Sequence, residues 1–264
     1  MAQYLADVWQ LRYFWSALVR NDLRNRYRRS IIGIGWSLLH PIAMTIVLCT
    51  VFCQLLNQDV HEYAPILLSG LTFWGFMTAV VMQGCQCFFQ GESYIRQHPA
   101  PLAIYPLRTA LGAGIHFVLG FSIAVVFVWC VNGFGNLPAL ISLVPTFALL
   151  FVVGWSLSVC MGVANVMFQD SQHLIEVAMQ IMFYLTPIMY KPDWLLDKLE
   201  KVHLQWLMNL NPFAVLLGLI RRPLLEGQVP SLTQASHGAL IGLVAVVAAA
   251  LLLRRFEKRM IFYL

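Results

Sequence analysis

VANVMFQDSQHLIEVAMQIMFYLTPIMY, residues 163–190, is the stretch whose reading decides the fold. An apolar run ends at a short polar break, Gln169-Asp170-Ser171-Gln172-His173. A second apolar run follows, interrupted near its far end by Thr186-Pro187. Beyond Tyr190 comes a long amphipathic region rather than an ordinary loop. Continuous apolar runs joined by a polar turn are the pattern of membrane helices, because lipid offers no partner to irregular backbone. The stretch therefore reads as a turn on one side of a membrane and ordered, irregular structure on the other.

The rest of the chain agrees. Of 264 residues, 59% are hydrophobic and 11% charged, with a mean hydropathy of +0.71. Soluble domains carry about 25% charged residues, so a chain this apolar cannot cover a water-facing surface. No segment is polar enough to be a separate soluble domain, and the runs do not alternate as barrel strands do. The expected fold is an all-α membrane protein with a single domain over residues 1–264. It divides into an N-terminal amphipathic interface helix (1–30), spans one to five (31–190), two short re-entrant or gate helices (191–235), and span six with a tail (236–264).

Six spans are expected, over residues 34–56, 64–89, 105–131, 137–167, 174–190 and 236–253, each about 20 apolar residues long. The fourth is overlong and should tilt or break near Pro145. The fifth is short and should distort at Pro187, which lacks a backbone donor. Residues 1–30 mix Trp9, Phe14, Trp15 and Leu18 at helical spacing with a rising density of Arg. That fits a helix lying in the interface, its Arg toward anionic headgroups. No cleavable signal peptide is evident.

The net charge is +5. In a soluble protein this would raise nucleic acid as a partner, but its distribution fits membrane orientation instead. With the N-terminus inside, the inner flanks hold Arg12, Arg20, Arg24, Arg26, Arg28 and Arg29, then Arg96 and Arg108, then Arg254, Arg255, Lys258 and Arg259. The short outer loops around 57–63 and 132–136 hold none. Lys191, Lys198, Lys201, Arg221 and Arg222 fall in the long outer segment, accompanied by acids. Both termini are thus expected in the cytoplasm.

Cys49, Cys53, Cys85, Cys87, Cys130 and Cys160 all sit in apolar runs, so they read as small apolar residues and not as a disulfide or metal framework. There is no G-x-x-x-x-G-K-[ST] phosphate cradle, no HExxH and no G-x-S-x-G motif. Glu176 lies close to the inner end of span five, and His116 stands alone in the third. An enzyme is not expected.

Two groups of residues remain as candidates. The loop GESYIRQHPAPLAI, residues 91–104, should form a brief helix and an extended turn on the inner side. Its Glu92, Tyr94, Ile95 and Arg96, with Asp170, are candidates for docking a soluble partner. Aromatic rings cluster along the spans. Many such rings serve as interfacial belts, but Phe73, Trp74, Phe183, Tyr184 and Tyr190 are candidates to line a conduit, where ring faces can slide against sugars.

At these residues the chain resembles the membrane subunit of bacterial ABC exporters for lipid-linked polysaccharides: O-antigen, teichoic acid and capsule. Three blocks carry the resemblance. They are Asn25-Arg26-Tyr27 with IGIGWSLLHP, then Leu68-Ser69-Gly70-Leu71 with Phe73-Trp74, then GVANVMFQD and QIMFYLTPIMY with Leu210-Asn211-Pro212 downstream. The pattern is closer to the O-antigen and teichoic acid branches than to the capsule branch. The resemblance implies a homodimer with a channel between copies and two copies of a separate ATP-binding subunit. ATP and Mg would sit on that partner, with no cofactor in this chain. It further implies docking through 91–102, channel walls from spans one and five, and a gate from helices near 193–204 and 213–220 that includes Trp194, Asn211, Pro212 and Phe213. The expected location is the bacterial inner membrane. Gln169 departs from the pattern, because relatives often carry Arg before Asp170. An exporter of drugs or other lipids, a membrane-embedded glycosyl- or phosphotransferase, and a proton-driven transporter are the alternatives.

Overall fold

The computed structural model describes residues 2–56, 59–97, 100–133, 137–190, 210–260 and 262–263. The regular structure of the described residues is all helical, with no strand among them. Helices α1 (Ala2–Gln10) and α2 (Arg12–Arg26) are followed by a 3-10 turn (Gly33–Gly35) and α3 (Trp36–Leu56). Next come α4 (Val60–Gln97), α5 (Ile104–Asn132), the short α6 (Leu137–Leu140), α7 (Leu143–Met167) and α8 (Ser171–Leu185). Helix α9 (Pro212–Arg221) runs into a π turn (Arg222–Glu226), and α10 (Leu232–Met260) closes the chain.

Five stretches are long and apolar enough to cross a membrane: Gly33–Leu55, Val60–Gln97, Ile104–Val131, Pro138–Met167 and Leu232–Glu257. The protein is a multi-pass membrane protein. Helix α8, read as a span from the sequence, has 15 residues. At 1.5 Å per residue it is about 22 Å long, short of a hydrocarbon core of about 30 Å.

Several boundaries differ from the sequence reading for local reasons. Within the expected 1–30 helix, residues 2–26 form two helices that meet at Leu11, not one. The brief helix expected within 91–104 is the last part of α4, which has 38 residues and so runs about 57 Å, well beyond the apolar layer. The fourth span does break, at Ile141-Ser142, and α7 restarts with Pro145 inside its first turn, where a missing N–H costs nothing.

Helix α4 is the centre of the bundle. Its most apolar window is 67% buried, against 17% in α3 and 22% in α10. It packs on α5 and α7, with α3 and α8 at its flanks, while α10 packs chiefly on α7 and α9. Small residues allow the closest crossing. Gly154, Ser158 and Gly162 recur every fourth residue on one face of α7. A Cβ at Gly84 would lie 2.7 Å from Ser158 Cα, and one at Gly162 would lie 2.8 Å from Phe88 Cε2. Ser158 Oγ then donates to Val80 O (2.6 Å) and Asn165 Nδ2 to Cys85 O (2.8 Å). This is how membrane helices associate where lipid removes the hydrophobic drive: close backbones and polar bridges.

Two core clusters result. The larger one, around Phe73, Met77, Phe117, Phe121 and Leu150, fills the middle and the end remote from the chain termini. The smaller one, around Phe88, Ile95, Tyr105, Val163 and Leu253, fills the terminal end. His116 Nδ1 lies 2.8 Å from Ser37 Oγ and 3.2 Å from Tyr27 OH, joining α5 to the start of α3 and to the residue that follows α2. All six cysteines are free.

Candidate functional site

At the end remote from the termini, α8 stops because Pro187 has no N–H to donate. Its last carbonyls and those of residues 186–189 lose helical partners. At membrane depth each such group needs an internal donor. Four side chains and one backbone N–H supply them. Tyr190 OH donates to Tyr184 O (2.7 Å), Asn211 Nδ2 to Leu185 O (3.2 Å), and Ile188 N to Thr186 O (2.7 Å). Arg221 donates to Pro187 O and, through Nη2, to Ile188 O (2.7 Å). Tyr63 OH reaches Met189 O (2.6 Å). Every carbonyl from 184 to 189 is satisfied.

Helix α9 is therefore strapped across the break by both of its ends. Asn211 caps it, accepting from Phe213 N (2.9 Å) and Ala214 N (3.3 Å), while its amide also donates to Thr186 Oγ1 (3.0 Å). Pro212 follows at the first helical position, where its fixed φ suits the helix. At the other end Arg221 is 8% exposed. Besides the two carbonyls of the break it donates to Ile66 O (2.9 Å) and Ser69 Oγ (3.4 Å) of α4. Carbonyl dipoles surround this charge, and no carboxylate pairs with it among the described residues. Gly70 makes the arrangement possible: a Cβ there would lie 2.5 Å from Ile188 O and 2.8 Å from Arg221 Nη2. Pro223, which cannot donate, turns the helix into the π turn, and Gly227 ends it at φ 65°.

The aromatic residues gather beside this break. Trp74 meets Phe183 and Phe213 edge-on, with ring centroids 5.6 Å apart in each pair, and Phe183 meets Tyr184 at 5.4 Å. Trp74, Phe183 and Tyr190 are half-buried, and Tyr184 is 68% exposed. Four of the five rings read as lining candidates, with Phe213 and the capping residues Asn211 and Pro212, thus form one constellation. Phe73 departs from that expectation. It is fully buried in the core of a single copy, because one step along a helix turns the side chain about 100° from Trp74. Trp194 lies outside the described residues.

A second constellation lies at the terminal end. Glu92 and Arg96 form an exposed i,i+4 ion pair (2.8 Å), worth little by itself. Tyr94 is half-buried and meets Phe14 of α2 edge-on at 5.9 Å. Ile95 is buried in the core, so it anchors the end of α4 and does not present a surface. Asp170 is exposed at the start of α8, where a carboxylate suits the helix dipole. Gln169 is exposed as well. Gln86 donates to Gln172, which holds this turn against α4.

The chain matches the family described as ABC-2 type transporter over residues 13–225. It belongs to that family. Two relatives are each described as an O-antigen export system permease protein RfbA. The one from Klebsiella pneumoniae is 25% identical, covering 79% of this chain and 80% of its own length. The one from Myxococcus xanthus is 22% identical, covering 98% and 97%. A polysialic acid transport protein KpsM from Escherichia coli is 19% identical over 93% of this chain and 94% of its own length. The ABC-2 match takes in both the aromatic constellation and the Glu92–Arg96 end of α4.

Within this ABC-2 chain the break at Pro187, the shortness of the helix before it and a helix near 213–220 were legible in the sequence; the capping role of Asn211 was not. Nor were the donors Tyr63 and Arg221. Arg221 and Arg222 stand side by side, yet only the first is buried.

Proposed function

We propose that this chain is the permease subunit of an ABC transporter that exports polysaccharide, O-antigen being the substrate its relatives' names favour. The observation that carries the reading is a stripe on α8. His173, Glu176, Gln180 and Tyr184 recur at helical spacing, and all four are exposed. Polar side chains on a helix this apolar do not belong against lipid; they call for another subunit or an aqueous path. Next to them stands the aromatic constellation, whose rings can contact sugar faces without fixing one position.

On this reading α8 acts as the fifth of six spans, its length completed by residues 186–190, and a homodimer places two such faces around one path. The stripe and α3, both largely exposed, line it. Helix α9 closes its outer end, and both termini are cytoplasmic; the helix expected near 193–204 lies outside the described residues. Two copies of an ATP-binding subunit, carrying ATP and Mg, dock against Glu92, Tyr94, Arg96 and Asp170. The chain itself performs no catalysis. Driving the path requires states that differ in contact free energy.

The test is surface display of glycan on cells whose own permease is replaced by variants. Phe183→Ala with Tyr184→Ala should reduce display at least about fivefold while dimer yield and ATP hydrolysis of the purified complex hold. Normal display with both rings gone would remove the conduit reading. A labelling reagent that cannot cross the membrane should modify a cysteine placed at Asp197 from outside.

A further inference from the structure

Helix α5 begins without a cap of its own: Ala103 precedes it and offers no side-chain acceptor. The N–H groups of its own first turn bond locally, Ile104 N to Pro101 O and Tyr105 N to Leu102 O. The two N–H groups just before it, of Leu102 and Ala103, are taken by residues from the two ends of the chain. Glu257, near the end of α10, accepts from Leu102 N (3.3 Å) through Oε1. The same oxygen accepts the Tyr4 hydroxyl (2.8 Å), and the Tyr4 oxygen accepts Ala103 N–H (3.2 Å). Trp155 of α7 donates to Ala103 O (3.3 Å). Leu102 and Ala103 are buried, and Tyr4 and Glu257 half-buried. Burial, with the Glu257 carboxylate adding to it, pushes the Tyr4 phenol above its ordinary pKa, so it keeps the proton it donates. A carboxylate at a helix N-terminus is also favoured by the dipole.

The consequence lies in what α10 touches. It packs chiefly on α7 and α9, and at Gly238 a Cβ would lie 2.5 Å from Leu219 Cδ1 of α9. Helix α9 in turn holds the break at 184–189. One rigid helix of 29 residues, about 43 Å long, thus joins the loop after α4 to the opposite end of the molecule. Neither Tyr4 nor Glu257 lies within the residues matched by the family.

We infer that Tyr4 and Glu257 form a clamp on the Leu102–Ala103 peptide that makes α10 a transmission rod, passing displacement of the α4–α5 loop to α9 and the break. These are positioning residues. The inference rests on the docking and export reading above.

The test uses the complex of the full chain with its ATP-binding subunit, and intact cells displaying the host strain's own surface glycan. Tyr4→Phe and Glu257→Ala should each reduce display about tenfold. ATP hydrolysis and recovery of the complex should stay within twofold, so that glycan displayed per ATP falls. The double variant should be no worse than the worse single, because both act through one peptide. Amide hydrogen exchange at Leu102 and Ala103 should rise about tenfold in Glu257→Ala, with Glu257→Gln, which keeps an acceptor, in between.

Unchanged exchange in Glu257→Ala means there is no clamp. Faster exchange with normal display means the clamp transmits nothing. Loss of the ATP-binding subunit in these variants makes them docking residues and not a linkage. Each outcome overturns the inference. Parallel variants Tyr94→Ala and Arg96→Ala separate the two readings. If those bind and export normally while the clamp variants still uncouple, the docking assignment fails and the clamp stands.

Discussion

Replacing Arg221 by methionine removes the donors that this side chain gives the break while keeping an unbranched stem of similar reach. The change strands Pro187 O and Ile188 O and takes a donor from Ile66 O and Ser69 Oγ. Hydrogen bonds between helices in membrane proteins average about 0.6 kcal/mol, which puts three carbonyl bonds near 2 kcal/mol. A buried carbonyl left without any partner costs about 1–3 kcal/mol, which puts the two stranded ones at up to about 6 kcal/mol. For a chain of this size each kcal/mol moves the midpoint by about 2–4 °C. The apparent unfolding temperature in detergent should therefore fall by roughly 5–20 °C. Arg221→Lys keeps the charge but carries its donors on one atom, and should recover about half of the loss. The neighbour serves as control. Arg222 bonds to Gln234 (2.8 Å) and Gln228 (3.2 Å) near the surface, so Arg222→Gln should shift the midpoint by less than about 4 °C. A midpoint for Arg221→Met within 2 °C of the parent (roughly 1 kcal/mol), or an equal loss for Arg222→Gln, would refute the account of the break.

Asn211→Ala removes the cap of α9 and the donor to Leu185 O together; about 1–3 kcal/mol of stability should be lost in the same melt, and Asn211→Asp, which still caps, should recover part of it. Gly162→Ala drives a methyl into Phe88 and the Gly84 carbonyl; it should cost about 1–3 kcal/mol and lower the yield of folded protein, whereas Gly112→Ala, with nothing within 4 Å of the added carbon, should be neutral or stabilising.

The sequence carried the architecture where a local cause sufficed. Pro187 lacks a donor, so α8 had to end; Pro212 is a residue that starts helices well, so α9 had to begin there. Pro145 lies near a break for the same kind of reason. What escaped was set by tertiary partners. The burial of Arg221 depends on the absence of a Cβ at Gly70, 151 positions earlier. Ile95 looked like part of a presented loop because two prolines follow it, but α4 continues through it and turns it inward. The four-residue spacing of Gly154, Ser158 and Gly162 was visible throughout, and only its partner on α4 gives it meaning. Tyr4 and Glu257, almost the whole chain apart, offered no local signal of contact.

The way the break is satisfied also bears on how the chain is made. Helix α8 emerges from synthesis before two of the side chains that complete its far end. Tyr190 follows almost at once, but Asn211 and Arg221 come 26 and 34 residues after Leu185 and Pro187. Until they arrive, the carbonyls of Leu185, Pro187 and Ile188 have no donor that lipid could supply. Helix α8 therefore cannot settle as an independent unit, and its placement is finished only when α9 folds back over it. A chain truncated before Asn211 should hold α8 at the membrane surface or deliver it to quality control, while one truncated after Gly227 already contains every donor the break requires.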